Sequence, residues 1–181
     1  MSDSTNELQR WLDDEATVRA RMDAGAGPGV ARPEQVMGRS GLEVMQAMLA
    51  GELPYAEIAR TLDFVLLEAV AGRAVFQGQP QVRHLNPLGT VDGGWFATLL
   101  DSALGCAVHT SLPAGRSYTT AELGINMVRA ITPQVPRVRA IGQVIHCGRQ
   151  LATAEARLVG PDGTLYAHAT TTCLVFDLRP R

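Results

Sequence analysis

The chain contains no lysine, and all sixteen of its basic residues are arginine. That absence removes pyridoxal Schiff-base chemistry, the phosphate-loop lysine and lysine nucleophiles together. No basic cluster is present, and the formal net charge is -2. The concentrated positive footprint of a nucleic-acid surface is therefore missing. Cysteine is scarce: Cys106, Cys147 and Cys173 are odd in number and far apart, so neither a disulfide framework nor a CxxC metal site is suggested. They read as reduced, buried residues. No run approaches the roughly 20 apolar residues of a membrane span. The first 22 residues are acidic and lack the apolar core of a secretory signal. These absences predict a cytoplasmic protein with neither a nucleic-acid nor a membrane partner.

At 181 residues the chain is long enough for one well-buried domain and short for two. Three segments are expected. Residues 1–31 hold a helix over 6–22, with Leu8, Trp11, Leu12, Glu15 and Val18 near helical spacing, followed by "DAGAGPGVARP", a Gly/Pro linker composition. The alternating Gly25, Gly27 and Gly29 resemble a dinucleotide loop only superficially, because a charged helix precedes them and Pro28 interrupts. Residues 32–61 read as two short helices, the first ending near Gly51 and the second beginning at Pro54, a favoured first-turn position. A DNA-binding helix-turn-helix is disfavoured, since the would-be recognition helix offers only Arg60 as a cation beside Glu57. A packing or substrate-covering role suits it better.

Residues 62–181 form the main domain. Short β runs, "DFVLLEAVAG" and "RAVFQGQ", are followed by a helix to about Ser111 and then by four more runs, the last two joined by the turn "PDG". The order β-β-α-β-β-β-β, with one long helix and no βαβ alternation, predicts an α+β domain: a mainly antiparallel sheet with the helix on one face.

That helix carries an anomaly. In "NPLGTVDGGWFATLLDSALG", residues 86–105, a single acid, Asp101, lies within the most apolar helix of the chain. Phe96, Leu99, Leu100, Ala103, Leu104 and Ala107 make the face a wrapped helix needs. Asp101 shares a different stripe with Ala97 and Gly105, small residues that leave space suited to a substrate. The helix begins at Gly93 and Gly94, where unpaired N–H groups and the positive dipole end bind developing negative charge. An acid two turns from such a start suits acyl transfer. A structural acid, bonded to backbone or paired with an arginine across an interface, is the other reading. Weaker candidates are a zinc site at Cys106 and His109, which lacks further ligands, and Ser102, which lacks a G-x-S-x-G setting. Arg149, at a turn between strands, offers a guanidinium shaped for phosphate or is merely solvated. His84, His146 and His168 are scattered and suggest no catalyst.

The runs "HLNPLGTVDGGWFATLLDSALG", "YTTAELGINMVRAITP" and "LYAHATTTCLVF" resemble the phenylacetate-degradation (PaaI-like) branch of the hotdog-fold acyl-CoA thioesterases, over about residues 62–176. The resemblance implies a hotdog fold, an antiparallel sheet wrapped around one long central helix, here with an N-terminal helical extension. It implies hydrolysis of an acyl-CoA thioester, with Asp101 as general base or nucleophile and the Gly93 N–H polarising the carbonyl. It further implies that Asn86 helps hold the reacting groups and Thr120 positions water. The loop residues and the acid then come from different subunits of a dimer, and dimers often pair into tetramers. No metal or prosthetic group is implied, coenzyme A being part of the substrate, with Arg149 the candidate for meeting its phosphates. The chain departs from the pattern at Asp92, where the family has His. Asp92 and Gly94 stand at the substrate end of the helix, and a carboxylate there opposes charge on the thioester oxygen. The alternative function is accordingly a hotdog protein that binds acyl-CoA or an aromatic acid and hydrolyses it weakly or not at all. A hotdog hydratase would need a paired Asp and His near the helix, which the chain lacks.

Overall fold

The computed structural model describes residues 2–178. Four helices precede the sheet: α1 (Ser2–Ala24), α2 (Pro33–Val36), α3 (Gly41–Leu49) and α4 (Glu57–Leu62). The strands β1 (Phe64–Val70) and β2 (Arg73–Gly78) follow, then α5 (Gly93–Thr110), then β3 (Arg116–Met127), β4 (Val138–Cys147), β5 (Leu151–Val159) and β6 (Leu165–Asp177). The expected β-β-α-β-β-β-β order is the observed one. All six strands form one antiparallel sheet in the order β1-β2-β4-β5-β6-β3. It wraps α5, and this is the hotdog arrangement.

The wrapping follows from side-chain size. Phe96, Leu99, Leu100, Ala103, Leu104 and Ala107 are all buried, so the helix offers apolar surface over a broad arc. Facing it, β5 presents Ala152, Ala154 and Ala156 at alternate positions, all buried, and β6 adds Ala167 and Ala169. These short side chains let the sheet approach closely. At Gly142 on β4 the approach is backbone to backbone, since a Cβ there would lie 2.2 Å from the Ala103 carbonyl oxygen. Tight turns close the hairpins: Gly72 between β1 and β2 has φ 74° and Gly163 between β5 and β6 has φ 81°, values that favour glycine.

The N-terminal extension is more tightly integrated than its composition suggests. Helix α1 packs against β1 and α3 and is tied to β2 and β4 by polar contacts. Buried Gln77 donates to the Trp11 carbonyl (3.0 Å) and to Glu15 (2.8 Å). Glu15, only 5% exposed, also accepts from Arg19 (2.8 Å) and Arg137 (2.5 Å). The Arg139 guanidinium sits 4.4 Å from the Trp11 ring centroid, a cation–π contact. The helix predicted over 6–22 is thus present and longer.

The stretch read as a Gly/Pro linker is pinned. Gly29 N–H donates to the Tyr55 carbonyl (2.8 Å) and Tyr55 N–H to that of Gly27 (3.0 Å). That pairing corrects the expected start of α4 as well. Residues 54 and 55 are drawn into extended pairing with residues 27–29, Pro28 bridging Tyr55, so the helix begins at Glu57 rather than Pro54. Among the described residues no helix is long and apolar enough to cross a membrane.

Candidate active site

Asp92 caps α5: its Oδ1 accepts from the Gly94 N–H at 2.8 Å. The cap leaves the Gly93 N–H, a first-turn donor without an intrahelical acceptor, as the available one, and corrects the expectation that Gly94 is equally free. Ahead of it, residues 85–91 form a tight loop. Leu85 bridges Val91, and the Asn86 side chain donates to Thr90 Oγ1 (2.9 Å) while accepting from the Leu88 N–H (2.9 Å). Asn86 therefore shapes its own loop within one chain. Asn86 and Gly93 line a shared cavity of about 300 Å³ with Met127 and Arg129.

Asp101 lies elsewhere. It is half-buried, eight residues beyond Gly93 on α5, about 12 Å along the axis at ~1.5 Å per residue. Thr120 Oγ1 on β3 donates to Asp101 Oδ1 at 2.9 Å. Thr120 is aimed at the helix immediately before a bulge, where the β3 register against β6 slips between Thr120 and Glu122. The structure thus brings together Asp101 with Thr120, and Asn86 with Gly93, but does not bring the two pairs together in one chain.

Asp101 is the only carboxylate on the wall of a second cavity, about 300 Å³. Its neighbours there are neutral. Burial, reinforced by the Asp101 charge, pushes the Cys106 thiol up to about 12, and burial raises the Tyr118 phenol well above its ordinary value. Burial also lowers His109, keeping its imidazole uncharged. A thiol this reluctant to ionise is neither nucleophile nor thiolate ligand. The Ser102 hydroxyl is committed to the Thr98 carbonyl at 2.7 Å.

Several expectations need correction. The space beside Gly105, read as room for substrate, is filled by Tyr118, whose Oη would lie 2.7 Å from any Cβ on Gly105. The open space adjoining Asp101 is instead a cavity bounded on one side by residues of the extension. Cys147 is exposed rather than buried, while Cys173 is buried and Cys106 intermediate. Arg149 is exposed on the β4–β5 turn, where its carbonyl accepts from Arg116. Arg116 is four residues along β3 from Thr120, so Arg149 is not gathered to Asp101 within the chain. His84 is buried against Trp95, ring centroids 5.5 Å apart, and lines neither cavity. His146 and His168 are exposed.

Sequence reasoning missed Arg129 beside Gly93 and Tyr118 beside Asp101. The second was findable: Tyr118 and Thr120 are two apart on a strand and so share a face.

The thioesterase superfamily model matches residues 88–167, which span the helix start, Asp101 and Thr120. A phenylacetic acid degradation-related protein of Ralstonia eutropha JMP134 is 31% identical, covering 72% of this chain and 98% of its own, with a TM-score of 0.65. The PaaI protein from the phenylacetic acid degradation operon of E. coli shares the fold at 17% identity, covering 75% of this chain and 94% of its own, TM-score 0.65. A thioesterase family protein from Silicibacter pomeroyi does so at 20% identity, covering 77% and 100%, TM-score 0.66. No curated protein matches the chain. With the family model spanning the helix start and the acid, and the Ralstonia protein aligned over nearly its full length, the chain belongs to the thioesterase superfamily, in its PaaI-like hotdog branch.

Proposed function

We propose that the protein hydrolyses acyl-CoA thioesters at a site completed by a second copy of the chain. The observation that carries this reading is Asp101: a lone carboxylate halfway along an otherwise apolar helix, hydrogen-bonded by Thr120 at 2.9 Å and opening on an apolar cavity. Asp101 accepts a proton from water as the oxygen attacks the thioester carbonyl carbon. The resulting oxyanion is met by the Gly93 N–H at the positive end of α5. Collapse of the tetrahedral intermediate breaks the C–S bond, and the proton held by Asp101 goes to the departing thiolate.

Reacting atoms need to lie ~3–3.5 Å apart and oxyanion donors ~2.7–3.1 Å from the oxygen. Gly93 and Asp101 of one chain, about 12 Å apart, do not satisfy both conditions. Two chains related by a two-fold axis do, if the 85–93 loop of one meets Asp101 of the other. The edge strand β3 supports this pairing, because among the described strands it bonds only to β6 and carries Thr120. An unpaired twelve-residue edge is a ready template for its own copy. Exposed Leu174 and Phe176 on β6 offer further apolar surface for pairing dimers into tetramers. Arg129 supplies positive charge for the phosphates of coenzyme A at the Gly93 cavity, a better-placed cation than Arg149.

A second reading rests on Asp92. Its carboxylate sits on the first turn of α5, where it opposes oxyanion charge, so the protein could bind acyl-CoA and turn it over poorly. Thiol release from acyl-CoA substrates, followed colorimetrically alongside sedimentation at micromolar concentration, separates the readings. The hydrolase reading predicts turnover by a dimer or tetramer. A persistent monomer contradicts the shared site, and binding without turnover favours the second reading.

A further inference from the structure

The cavity adjoining Asp101 is bounded on one side by residues that precede the thioesterase-like core. Met22 at the end of α1, Met45 and Met48 on α3, Tyr55, and Ile58 on α4 form that wall. Opposite them stand β1, through Phe64 and Leu66, and β3, through Tyr118. These strands are the two edges of the sheet. The extension therefore closes the open side of the wrap, over the helix face that holds the acid. The family match begins at residue 88, so this wall lies outside the segment shared with the superfamily.

We propose that this cavity is the acyl chamber and that the N-terminal extension sets the acyl group it accepts: uncharged, apolar and of medium length. The proposal rests on the hydrolase reading for the position of the thioester but draws on separate observations. Protein interiors close-pack with few voids larger than a water, and an apolar space of about 300 Å³ is within the size range of small-molecule sites. At roughly 30 Å³ for each water-sized group, it holds about ten non-hydrogen atoms. Along α5 its lining runs from Asp101 to His109, eight residues or about 12 Å. A chain of about eight to ten carbons fills both measures.

Polarity narrows the class. No arginine lines the chamber, so an acyl group ending in a carboxylate finds no partner. The Ser102 hydroxyl is bonded to the Thr98 carbonyl and that of Tyr55 to Asp23 (2.8 Å), while His109 is held neutral. Three methionines give a flexible, polarisable wall that adapts to a linear chain.

The test uses acyl-CoA substrates together with non-hydrolysable S-alkyl-CoA thioethers of increasing chain length, measured by calorimetry on the whole 181-residue chain. Affinity is expected to rise by about fourfold per methylene, from ~0.8 kcal/mol per buried CH₂, and to level off near eight to ten carbons. Met48→Trp, which fills the chamber, is expected to level off at least two carbons earlier and to lower the ten-carbon to four-carbon ratio of kcat/KM by about tenfold or more. Met45→Ala combined with Met48→Ala enlarges the chamber and is expected to extend the plateau, and it decides the matter if the Trp variant does not fold. Three results would overturn the proposal: no thioether binding by the wild type, a plateau unmoved in the folded variants, or equally tight binding of a thioether ending in a carboxylate. Asp101-dependent hydrolysis with an unmoved plateau would sink the chamber and leave the hydrolase reading standing. Length-dependent thioether binding without hydrolysis would do the reverse.

Discussion

Thr120 Oγ1 donates a 2.9 Å hydrogen bond to Asp101 Oδ1, joining an edge strand to the middle of the central helix. The bond engages one carboxylate oxygen, and in the proposed mechanism the other takes the proton from water. Thr120→Val preserves shape while removing the hydroxyl. It is predicted to lower kcat about 10- to 100-fold, the worth of a hydrogen bond to a charged group, and Thr120→Ser should restore most of the loss. Equal losses in both variants would assign the effect to packing instead.

The Asp92 carboxylate is both a cap and a charge. Asp92→Asn keeps a capping oxygen and removes the charge, so kcat/KM on acyl-CoA should rise with little change in Tm. Asp92→Ala forfeits the cap, about 1 kcal/mol, and should lower Tm by roughly 2–4 °C in a chain of this size. Asp92→His should raise kcat/KM beyond the Asn variant by supplying an imidazole near the developing oxyanion. Equal kcat/KM in all four proteins would leave Asp92 a helix cap and nothing more.

Docking of α1 depends on pH through Glu15. Burial raises its pKa, but hydrogen bonds from Arg137, Arg19 and Gln77 outweigh burial and hold the carboxyl below its ordinary value. The unfolded chain then takes up the proton first as pH falls. The stabilisation is complete above the ordinary carboxylate value near ~4.3 and is lost as pH drops through the lower folded value. Glu15→Gln leaves buried arginine charge uncompensated, a cost of about 3 kcal/mol or roughly 6–12 °C in Tm at pH 7. The difference from wild type should close below about pH 4. Parallel melting curves from pH 7 to pH 3 would remove Glu15 from the account.

What the sequence made legible was local. Alternating runs and the turn glycines at 72 and 163 marked the strands, and Gly93-Gly94 before an apolar run marked the start of α5. The acid stood out because its neighbours on the helix are apolar. What stayed hidden depends on partners far along the chain. Glu15 looks like a solvated helix charge until Arg137 arrives 122 residues later. The run 25–31 has linker chemistry, yet backbone pairing with residues 51–55 fixes it. Gly105 suggested open space because nothing in its own helix reveals that Tyr118 occupies it. The chamber wall was invisible for the same reason, its methionines being spread over two helices with no spacing that links them to Asp101.

Asp101→Asn tests the central claim most directly, since the amide keeps the shape of the acid and removes its capacity to take a proton. Thiol release is to be measured on a saturating linear acyl-CoA, with the oligomeric state checked by sedimentation. The account predicts kcat lower by about 10²- to 10⁴-fold, the range of acid–base catalysis, in a protein that assembles as the wild type does. A correctly assembled Asn variant that retains most of the wild-type turnover would contradict it.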